Sequence, residues 1–381
     1  MQEVSSVLGN LSTGILYKNS KPHVKSVHAY FPSVAAMPNG ELLATYVLAE
    51  AFEAVNARTH VARSSDKGQT WQDEGTIHPG RTDRVMSDFG RMAIAPNGEV
   101  VVNLARHDRT DHPDEGISNP AYMGLVPTEL LITRSADYGH TWMEPAVIEP
   151  PLVGPTFEIC SPVTFLRDGR WLLPTSTCMD WEGNRPNSGR MVALVSTDRG
   201  RTWPAYLDVM RCPDDNLMFW ESKIIELSDG RLLAVAWCFD QQANADRPNQ
   251  YAISHDHGAT WSPPQSTDLL GQTLTPCLLP DDRVLCVYRR MDQPGLWANV
   301  SHLDADRWVN DGCQPLWGHN SEQGPTATEE NVVDTCRGLK FGAPSVICLP
   351  NGNVFVGFWC YEQNVSIIRW FQFGRNQGMN S

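Results

Sequence analysis

Acidic residues begin three apolar segments of this 381-residue chain, and their side chains could do hydrolytic chemistry. Asp88 begins DFGRMAIAPNGE, Glu158 begins EICSPVTFLRDG, and Glu221 begins ESKIIELSDG. Two carboxyl groups that flank a glycosidic bond can hydrolyse it. A separation of about 5–5.5 Å retains the anomeric configuration, and about 6.5–9.5 Å inverts it. These residues can form such a pair only if the fold brings them together.

The segments that carry these acids belong to a pattern that occurs six times. Each copy is an apolar strand, an Asn-Gly, Asp-Gly or Asp-Asp turn, and a second apolar strand. Asn-Gly and Asp-Gly between apolar runs are a strong hairpin signal, because their preference for positive φ matches the twist of paired strands. We therefore predict six hairpins. They begin at Phe31, Asp88, Glu158, Glu221, Gln272 and Gly342.

A second motif, SxDxGxTW, follows a third strand in each of the first four units. Its copies are SSDKGQTW, SADYGHTW, STDRGRTW and SHDHGATW. The Asp and Ser side chains can bond to turn amides, the Gly takes a φ that a Cβ would forbid, and the Trp covers the turn. Four equivalent copies cannot share one active site, so we interpret the motif as structural.

Four antiparallel strands repeated six times around an axis predict a six-bladed β-propeller of class all-β. We expect it to form one domain over residues 1–381. The segment GILYKN near the N terminus is predicted to add a strand to the last blade, because an open ring would leave an edge unpaired.

Together these repeats make the chain resemble the sialidase superfamily, whose Asp box is the SxDxGxTW motif, across nearly its full length. In that family, first strands start and second strands end on the face that holds the active site. The resemblance places Glu221 at the Glu that polarises a tyrosine nucleophile and Asp88 at an Asp of the substrate pocket. Glu362, at the end of FWCYE, matches a Glu at a strand end. The resemblance implies glycosidase activity with no cofactor.

The chain also departs from the sialidase pattern. Sialidases hold the substrate carboxylate with three arginines, since guanidinium binds carboxylate bidentately. Tyr30 stands where the first arginine is expected, and Ala236 and Trp237 stand where the second is expected. Arg289 or Arg290 could supply a third. The segment KFGAPS offers no nucleophilic tyrosine, so we do not expect the standard sialidase mechanism.

Glutamates at the first-strand starts of adjacent blades resemble instead the arrangement in exo-arabinanases on the same fold. This likeness implies that Glu158 is the nucleophile and Glu221 the acid/base, and the reverse order stays open. Asp88 would bind sugar hydroxyls or tune a pKa. Acids that converge on a narrow axis raise one another's pKa, as a general acid requires. We predict an exo-acting, retaining glycoside hydrolase for a terminal sugar of a small or oligomeric substrate.

Second-strand ends supply the remaining candidates, because an acid follows each hairpin turn by ten or eleven residues. These acids could equally be solvated charges at the ends of strands. Arg106, Arg289 and Arg290 could bind a sugar or could neutralise the acids. Trp237 could stack on a sugar or could pack in the core. The predicted substrate-binding residues are Tyr30, Arg106, Asp108, Trp237, Asp240, Arg289, Arg290 and Glu362.

Composition argues against other classes of protein. A net charge of −14 and a pI near 5.2, without a basic run, argue against nucleic-acid partners. We see no apolar run long enough for a membrane span, and MQEVSSVLGN does not read as a secretory signal. We therefore expect a cytoplasmic protein, unless a leader was removed. The ten cysteines form no CxxC pair and the histidines no HExxH motif, so we expect free thiols and no metal.

Three other functions fit the same residues. A sialidase-type hydrolase of a nonulosonic or uronic acid could bind the carboxylate through Arg106, Arg289 and Arg290. A carbohydrate-binding propeller could lack turnover, and a polysaccharide lyase could use the same fold. The residues alone do not indicate the sugar or the oligomeric state.

Overall fold

The computed structural model describes residues 8–81, 83–154, 156–158, 160–320 and 338–375, which form six β-sheets arranged as a propeller. Each sheet is an antiparallel meander whose strands follow chain order from the axis outward, except that the N-terminal strand is the outermost strand of the last sheet. In the third sheet the first strand is split in two. The predicted six-bladed β-propeller is confirmed. No helix within these residues is long and apolar enough to span a membrane.

One strand precedes the blades, and the remaining strands fill blades 1 to 6 in order. The bounds are β1 Leu8–Tyr17; blade 1, β2 His28–Ala36, β3 Leu42–Ala49, β4 Arg58–Ser64 and β5 Gln72–Thr76; blade 2, β6 Met86–Ile94, β7 Val100–Asp108, β8 Thr128–Ser135 and β9 Ala146–Ile148; blade 3, β10 Thr156–Glu158, β11 Thr164–Phe165, β12 Trp171–Cys178, β13 Met191–Ser196 and β14 Ala205–Met210; blade 4, β15 Leu217–Glu226, β16 Leu232–Asp240, β17 Ala245–Ser254 and β18 Gln265–Ser266; blade 5, β19 Gly271–Leu278, β20 Val284–Arg290, β21 Leu296–Asp304 and β22 Arg307–Trp317; blade 6, β23 Phe341–Cys348, β24 Val354–Glu362 and β25 Val365–Arg375.

The N-terminal strand closes the ring, as the sequence predicts. Strand β1 pairs antiparallel with β25, from Leu8 opposite Arg375 to Tyr17 opposite Ile368, and becomes the fourth strand of blade 6. Thr13 Oγ1 adds a bond to the Trp370 carbonyl at 2.8 Å. Pairing the first strand with the last covers the edge that an open ring would expose.

The hydrophobic core lies between neighbouring blades, because both faces of each sheet are apolar. One cluster joins Tyr46 of blade 1, Phe89 of blade 2 and Trp359 of blade 6. Burial of such large aromatic side chains is a main source of stability in a sheet protein. The blades therefore support one another, and the residues near the axis have well-packed neighbours.

The Asp-box turns connect the third and fourth strands of blades 1 to 4. In the first copy, Asp66 Oδ1 accepts a bond from the Thr70 amide at 2.9 Å, and Ser64 Oγ accepts one from the Gly68 amide at 2.8 Å. Trp71 Nε1 donates to the Gly68 carbonyl at 2.9 Å. Both that glycine and the residue before it have positive φ, and this holds in all four copies. The turns therefore have the predicted structural role.

We expect the D198A variant to unfold at a lower temperature. Asp198 accepts bonds from the Arg201 and Thr202 amides and from Thr202 Oγ1, and these bonds lower its pKa to about 2. Because the folded pKa lies below the ordinary value, the stabilisation is present above about pH 4 and is lost as pH falls through about 2. Loss of these bonds should lower Tm by about 2–4 °C at pH 7. Thermal unfolding at pH 7 and pH 2 checks this. An equal Tm at pH 7 for D198A and wild type would contradict it.

First strands of four blades carry a β-bulge at the same position. The residue at each bulge is not glycine and yet has positive φ: Phe31 (51°), Glu221 (50°), Thr273 (59°) and Ala343 (46°). A bulge re-aims a side chain, and non-glycine residues at positive φ often mark functional sites. These bulges set the direction of the side chains nearest the axis.

Candidate active site

Glu158 and Glu221 lie side by side on adjacent blades. Glu158 ends β10 of blade 3, and Glu221 sits at the bulge of β15 in blade 4. The Glu221 amide donates to Glu158 Oε2 at 2.8 Å. One oxygen from each carboxylate and Cys160 Sγ lie within 4.8 Å of one another. The structure thus brings two of the three predicted catalytic residues together.

Hydrogen bonds orient the Glu158 carboxylate. Cys160 Sγ lies 2.9 Å from Glu158 Oε1 and can donate its proton to it. Burial and the two neighbouring carboxylates raise the pKa of the Cys160 thiol, so the thiol keeps this proton. Both Glu158 oxygens therefore accept a hydrogen bond, one from Cys160 and one from the Glu221 amide. Thr175 Oγ1 donates a hydrogen bond to the backbone carbonyl of Glu158 at 2.6 Å. A partly exposed, oriented carboxylate is suited to act as a nucleophile.

The surroundings of Glu221 favour its protonated form. Burial raises the pKa of Glu221 to about 7. The positive charges of Lys223 and Arg289 lower this pKa, and the negative charge of Glu158 raises it. Glu221 Oε2 is buried and finds no hydrogen-bond partner among the described residues. A carboxyl group that is protonated near neutral pH can act as a general acid.

Two cations beside the pair were not predicted from the sequence. Lys223 Nζ donates to the Glu221 carbonyl at 2.9 Å, and burial lowers the pKa of Lys223. Arg91 Nη1 lies 3.3 Å from the Phe31 carbonyl, and its guanidinium lies 5.5 Å from the Phe31 ring centroid. The ESK spacing was a usable signal for Lys223, since residues two apart in a strand share a face. Arg91 had no such signal, because its position depends on how the blades meet.

The first strands of the blades surround an axial cavity of about 650 Å³. Glu221, Cys160, Lys223 and Arg91 line it, together with apolar residues of all six blades. Its volume lies within the range of small-molecule sites. Glu158 is not part of this wall, but it contacts two residues that are. A sugar ring in the cavity can therefore contact Glu221, and Glu158 lies directly beside Glu221.

Asp88, the third predicted catalytic residue, faces blade 1. Its Oδ1 accepts a bond from the Thr59 amide at 2.9 Å, and its Oδ2 lies 3.9 Å from Arg58 Nε. The side chain is buried at this contact between blades 1 and 2. The structure does not group Asp88 with the glutamates.

The three predicted arginines do not converge. Arg106 is in blade 2, whereas Arg289 and Arg290 are in blade 5, on the opposite side of a six-bladed ring. Arg289 donates to the Phe341 carbonyl at 2.9 Å, and Arg290 Nε donates to Asp292 Oδ1 at 2.8 Å. Consecutive residues of a strand point to opposite faces. No single carboxylate can therefore be bound by all three.

Aromatic packing occupies the two positions where sialidases carry arginine. Tyr30 is fully buried, its hydroxyl lies 2.8 Å from that of Tyr361, and its ring packs edge-on against Trp359. Trp237 is also buried and donates from Nε1 to Asp246 Oδ1 at 2.6 Å. These two predicted substrate-binding residues lie within packed clusters rather than at the glutamate pair.

The predicted acids at second-strand ends are paired locally with arginines. Each arginine neutralises its acid without crossing the ring, so the structure does not group these acids with the glutamates. Asp108 pairs with Arg84, Asp240 with Arg247 and Glu362 with Arg369, at N–O distances of 2.9, 2.7 and 2.6 Å.

Two insertions pack together at the end of the ring that carries Glu158. They follow the second strands of blades 2 and 3 and comprise residues 109–127 and 179–190. His112 stacks on Trp181 with ring centroids 3.9 Å apart, and Asn119 Nδ2 donates to the Trp181 carbonyl at 2.8 Å. This mutual support gives a shaped wall beside the glutamates.

The fold and the turns define the chain as a six-bladed β-propeller with Asp-box repeats. The family model for the BNR/Asp-box repeat matches residues 252–263, which include the turn of blade 4. In sequence the chain is similar to a sialidase from Micromonospora viridifaciens, with 25% identity over 247 residues. The match covers 61% of this chain and 35% of that sialidase, so the chain spans about a third of its length.

Solved structures share this fold over almost the whole chain. A protein of unknown function from Dyadobacter fermentans is 19% identical with a TM-score of 0.72, covering 99% of this chain and 100% of that one. A Trypanosoma rangeli sialidase in complex with sialic acid is 14% identical with a TM-score of 0.66, covering 97% of this chain and 59% of that one. At these identities the likeness establishes the propeller fold.

Proposed function

We propose that this protein is an exo-acting glycoside hydrolase that retains the anomeric configuration of a terminal sugar. The observation that carries the proposal is the contact between Glu158 and Glu221. One oxygen of each carboxylate lies within 4.8 Å of the other, Glu158 accepts hydrogen bonds at both of its oxygens, and burial raises the pKa of Glu221. A carboxyl group with a raised pKa beside a second, hydrogen-bonded carboxylate suits the acid and the nucleophile of such enzymes.

The reaction proceeds in two displacements. Glu158 attacks the anomeric carbon while Glu221 donates its proton to the departing glycosidic oxygen, which leaves the sugar bound to Glu158 as an ester. Glu221, now ionised, then removes a proton from water as the water oxygen attacks the same carbon. The ester bond breaks, Glu158 is again a carboxylate, and Glu221 is again protonated.

A neutral sugar suits this site better than an acidic one. The predicted arginines do not meet, and Tyr30 and Trp237 occupy the positions where arginines were expected. The two cations that line the cavity already have partners, since Lys223 donates to the Glu221 carbonyl and Arg91 to the Phe31 carbonyl. The sialidase neighbours support a glycosidase, and the packed insertions of blades 2 and 3 support exo-action by limiting the space beside the pair.

A panel of 4-methylumbelliferyl glycosides of neutral sugars, with a sialoside and a uronide, tests the proposal. We expect hydrolysis of at least one neutral glycoside, and NMR should detect the retained anomer as the first product. The E158Q/E221Q double variant should have no activity on that glycoside. Hydrolysis of the sialoside alone would indicate a sialidase-type enzyme. Unsaturated uronides released from a 4-linked polyuronide, in which the sugar on O4 is the leaving group, would indicate a lyase. Binding of sugars without any hydrolysis would indicate a carbohydrate-binding propeller.

A further inference from the structure

Two thiols on adjacent blades lie in contact, away from the glutamate pair. Cys277 is in β19 of blade 5 and Cys348 ends β23 of blade 6, and their sulfur atoms are 3.3 Å apart. A disulfide bond is about 2.05 Å long, so a closer approach of little more than 1 Å would bring the sulfurs to bonding distance. Both residues are free cysteines.

We propose that Cys277 and Cys348 form a redox-active pair that a peroxide oxidises to a disulfide between blades 5 and 6. Cys348 is partly exposed and lines the axial cavity, whereas Cys277 is 9% exposed. A small oxidant in the cavity therefore meets Cys348 first. Cys277 lies behind it, in the position of a resolving thiol.

The hydrogen bonding of the pair supports this order. The bond between the two thiols lowers the pKa of Cys348, while that bond and burial raise the pKa of Cys277. The thiolate is the form that reacts with oxidants, so Cys348 is the more reactive of the two. The Leu278 carbonyl lies 3.5 Å from Cys348 Sγ and can accept a hydrogen bond from this thiol when it is protonated.

The oxidation has two balanced steps. The Cys348 thiolate attacks one oxygen of hydrogen peroxide, the O–O bond breaks, and a sulfenic acid and hydroxide form. Cys277 then attacks the sulfenic sulfur, the S–OH bond breaks, and the hydroxyl leaves as water with the Cys277 proton. Two electrons pass from the thiols to the peroxide.

The bond would link the first strands of blades 5 and 6, whose packing against each other is otherwise noncovalent. Blade 6 also contains both β1 and β25, which close the ring. A link between residues 277 and 348 closes a long loop, which restricts the unfolded chain and stabilises the folded one. Oxidation should therefore raise Tm.

The test is treatment of the full chain with a few equivalents of hydrogen peroxide. We expect an intact-mass loss of two hydrogen atoms, a cross-linked peptide that contains Cys277 and Cys348, and a rise in Tm of about 3–8 °C that dithiothreitol reverses. C277S and C348S should each abolish the cross-link and the rise. C286S, which removes a buried thiol from the neighbouring strand β20, should keep both.

Peptide mapping of the peroxide-treated wild-type protein tests directly whether Cys277 and Cys348 form a disulfide. A cross-link between other cysteines would overturn the proposal, and so would oxygen added to Cys348 while Cys277 remains a free thiol. Neither outcome bears on the glycosidase activity, since these thiols take no part in the two displacements.

Discussion

We expect the E158A variant to lose about 10⁴-fold or more in kcat on the best neutral glycoside, because removal of a nucleophile prevents the first displacement. Glu158 accepts bonds from the Glu221 amide and from Cys160, which hold its carboxylate in one orientation. The measurement is steady-state kinetics of E158A and wild type, with near-ultraviolet circular dichroism to confirm that both are folded.

Azide identifies the role of Glu158. Truncation to alanine leaves space for an anion, so azide should attack the anomeric carbon directly and give a glycosyl azide of inverted configuration. The matched control is E99Q, which changes a glutamate in the β6–β7 turn that pairs with Arg134 at 3.4 Å and does not line the cavity. E99Q should keep wild-type kcat. If E158A instead gives an azide of retained configuration, Glu158 is the acid/base and the two roles are reversed.

We expect the E221Q variant to lose about 10²–10⁴-fold in kcat/KM on substrates with poor leaving groups. On 4-methylumbelliferyl or dinitrophenyl glycosides the loss should be much smaller, because these groups depart without a proton. Only a general acid produces this dependence on the leaving group. An equal loss on both kinds of substrate would contradict the role of Glu221.

The pH dependence of the wild-type enzyme follows from the same residue. Because burial raises the pKa of Glu221 to about 7, the acid is protonated below that pH and kcat/KM should fall as pH rises through it. E221Q has no group to titrate there, so this alkaline limb should disappear from its profile. If kcat/KM of E221Q still falls at the same pH, the fall comes from the titration of another residue.

The E221Q substitution should raise stability at alkaline pH although it lowers activity. A carboxyl group whose folded pKa is raised contributes stability that is fully present below its ordinary pKa and is lost as pH rises through about 7. The glutamine of E221Q does not ionise, so this variant has no buried charge to accommodate at high pH. Its Tm should therefore exceed that of wild type at pH 8 and should be close to it at pH 4. Such a gain at the expense of activity is typical of active-site residues.

Much of the candidate site lies beyond what local sequence patterns determine. The positions of Glu158 and Glu221 at first-strand starts indicated that they would be close. Nothing local indicated that Asp88 would turn to the Thr59 amide or that Arg91 would lie beside the pair, and the spacing in ESK was the one local signal for Lys223. These orientations depend on contacts between blades whose residues are far apart in the chain.

The fold followed from the chain alone because its signals are local. Asn-Gly and Asp-Gly turns specify hairpins, Asp boxes specify the next turn, and the repetition of one unit requires a ring. The direction of the side chains at the axis was decided only by tertiary structure. Glu221 has a positive φ that a non-glycine residue rarely adopts, and its neighbours in the ring hold it there. The pKa of Glu221 likewise depends on burial and on charges from blades 3 and 5, which exist only once the ring has closed.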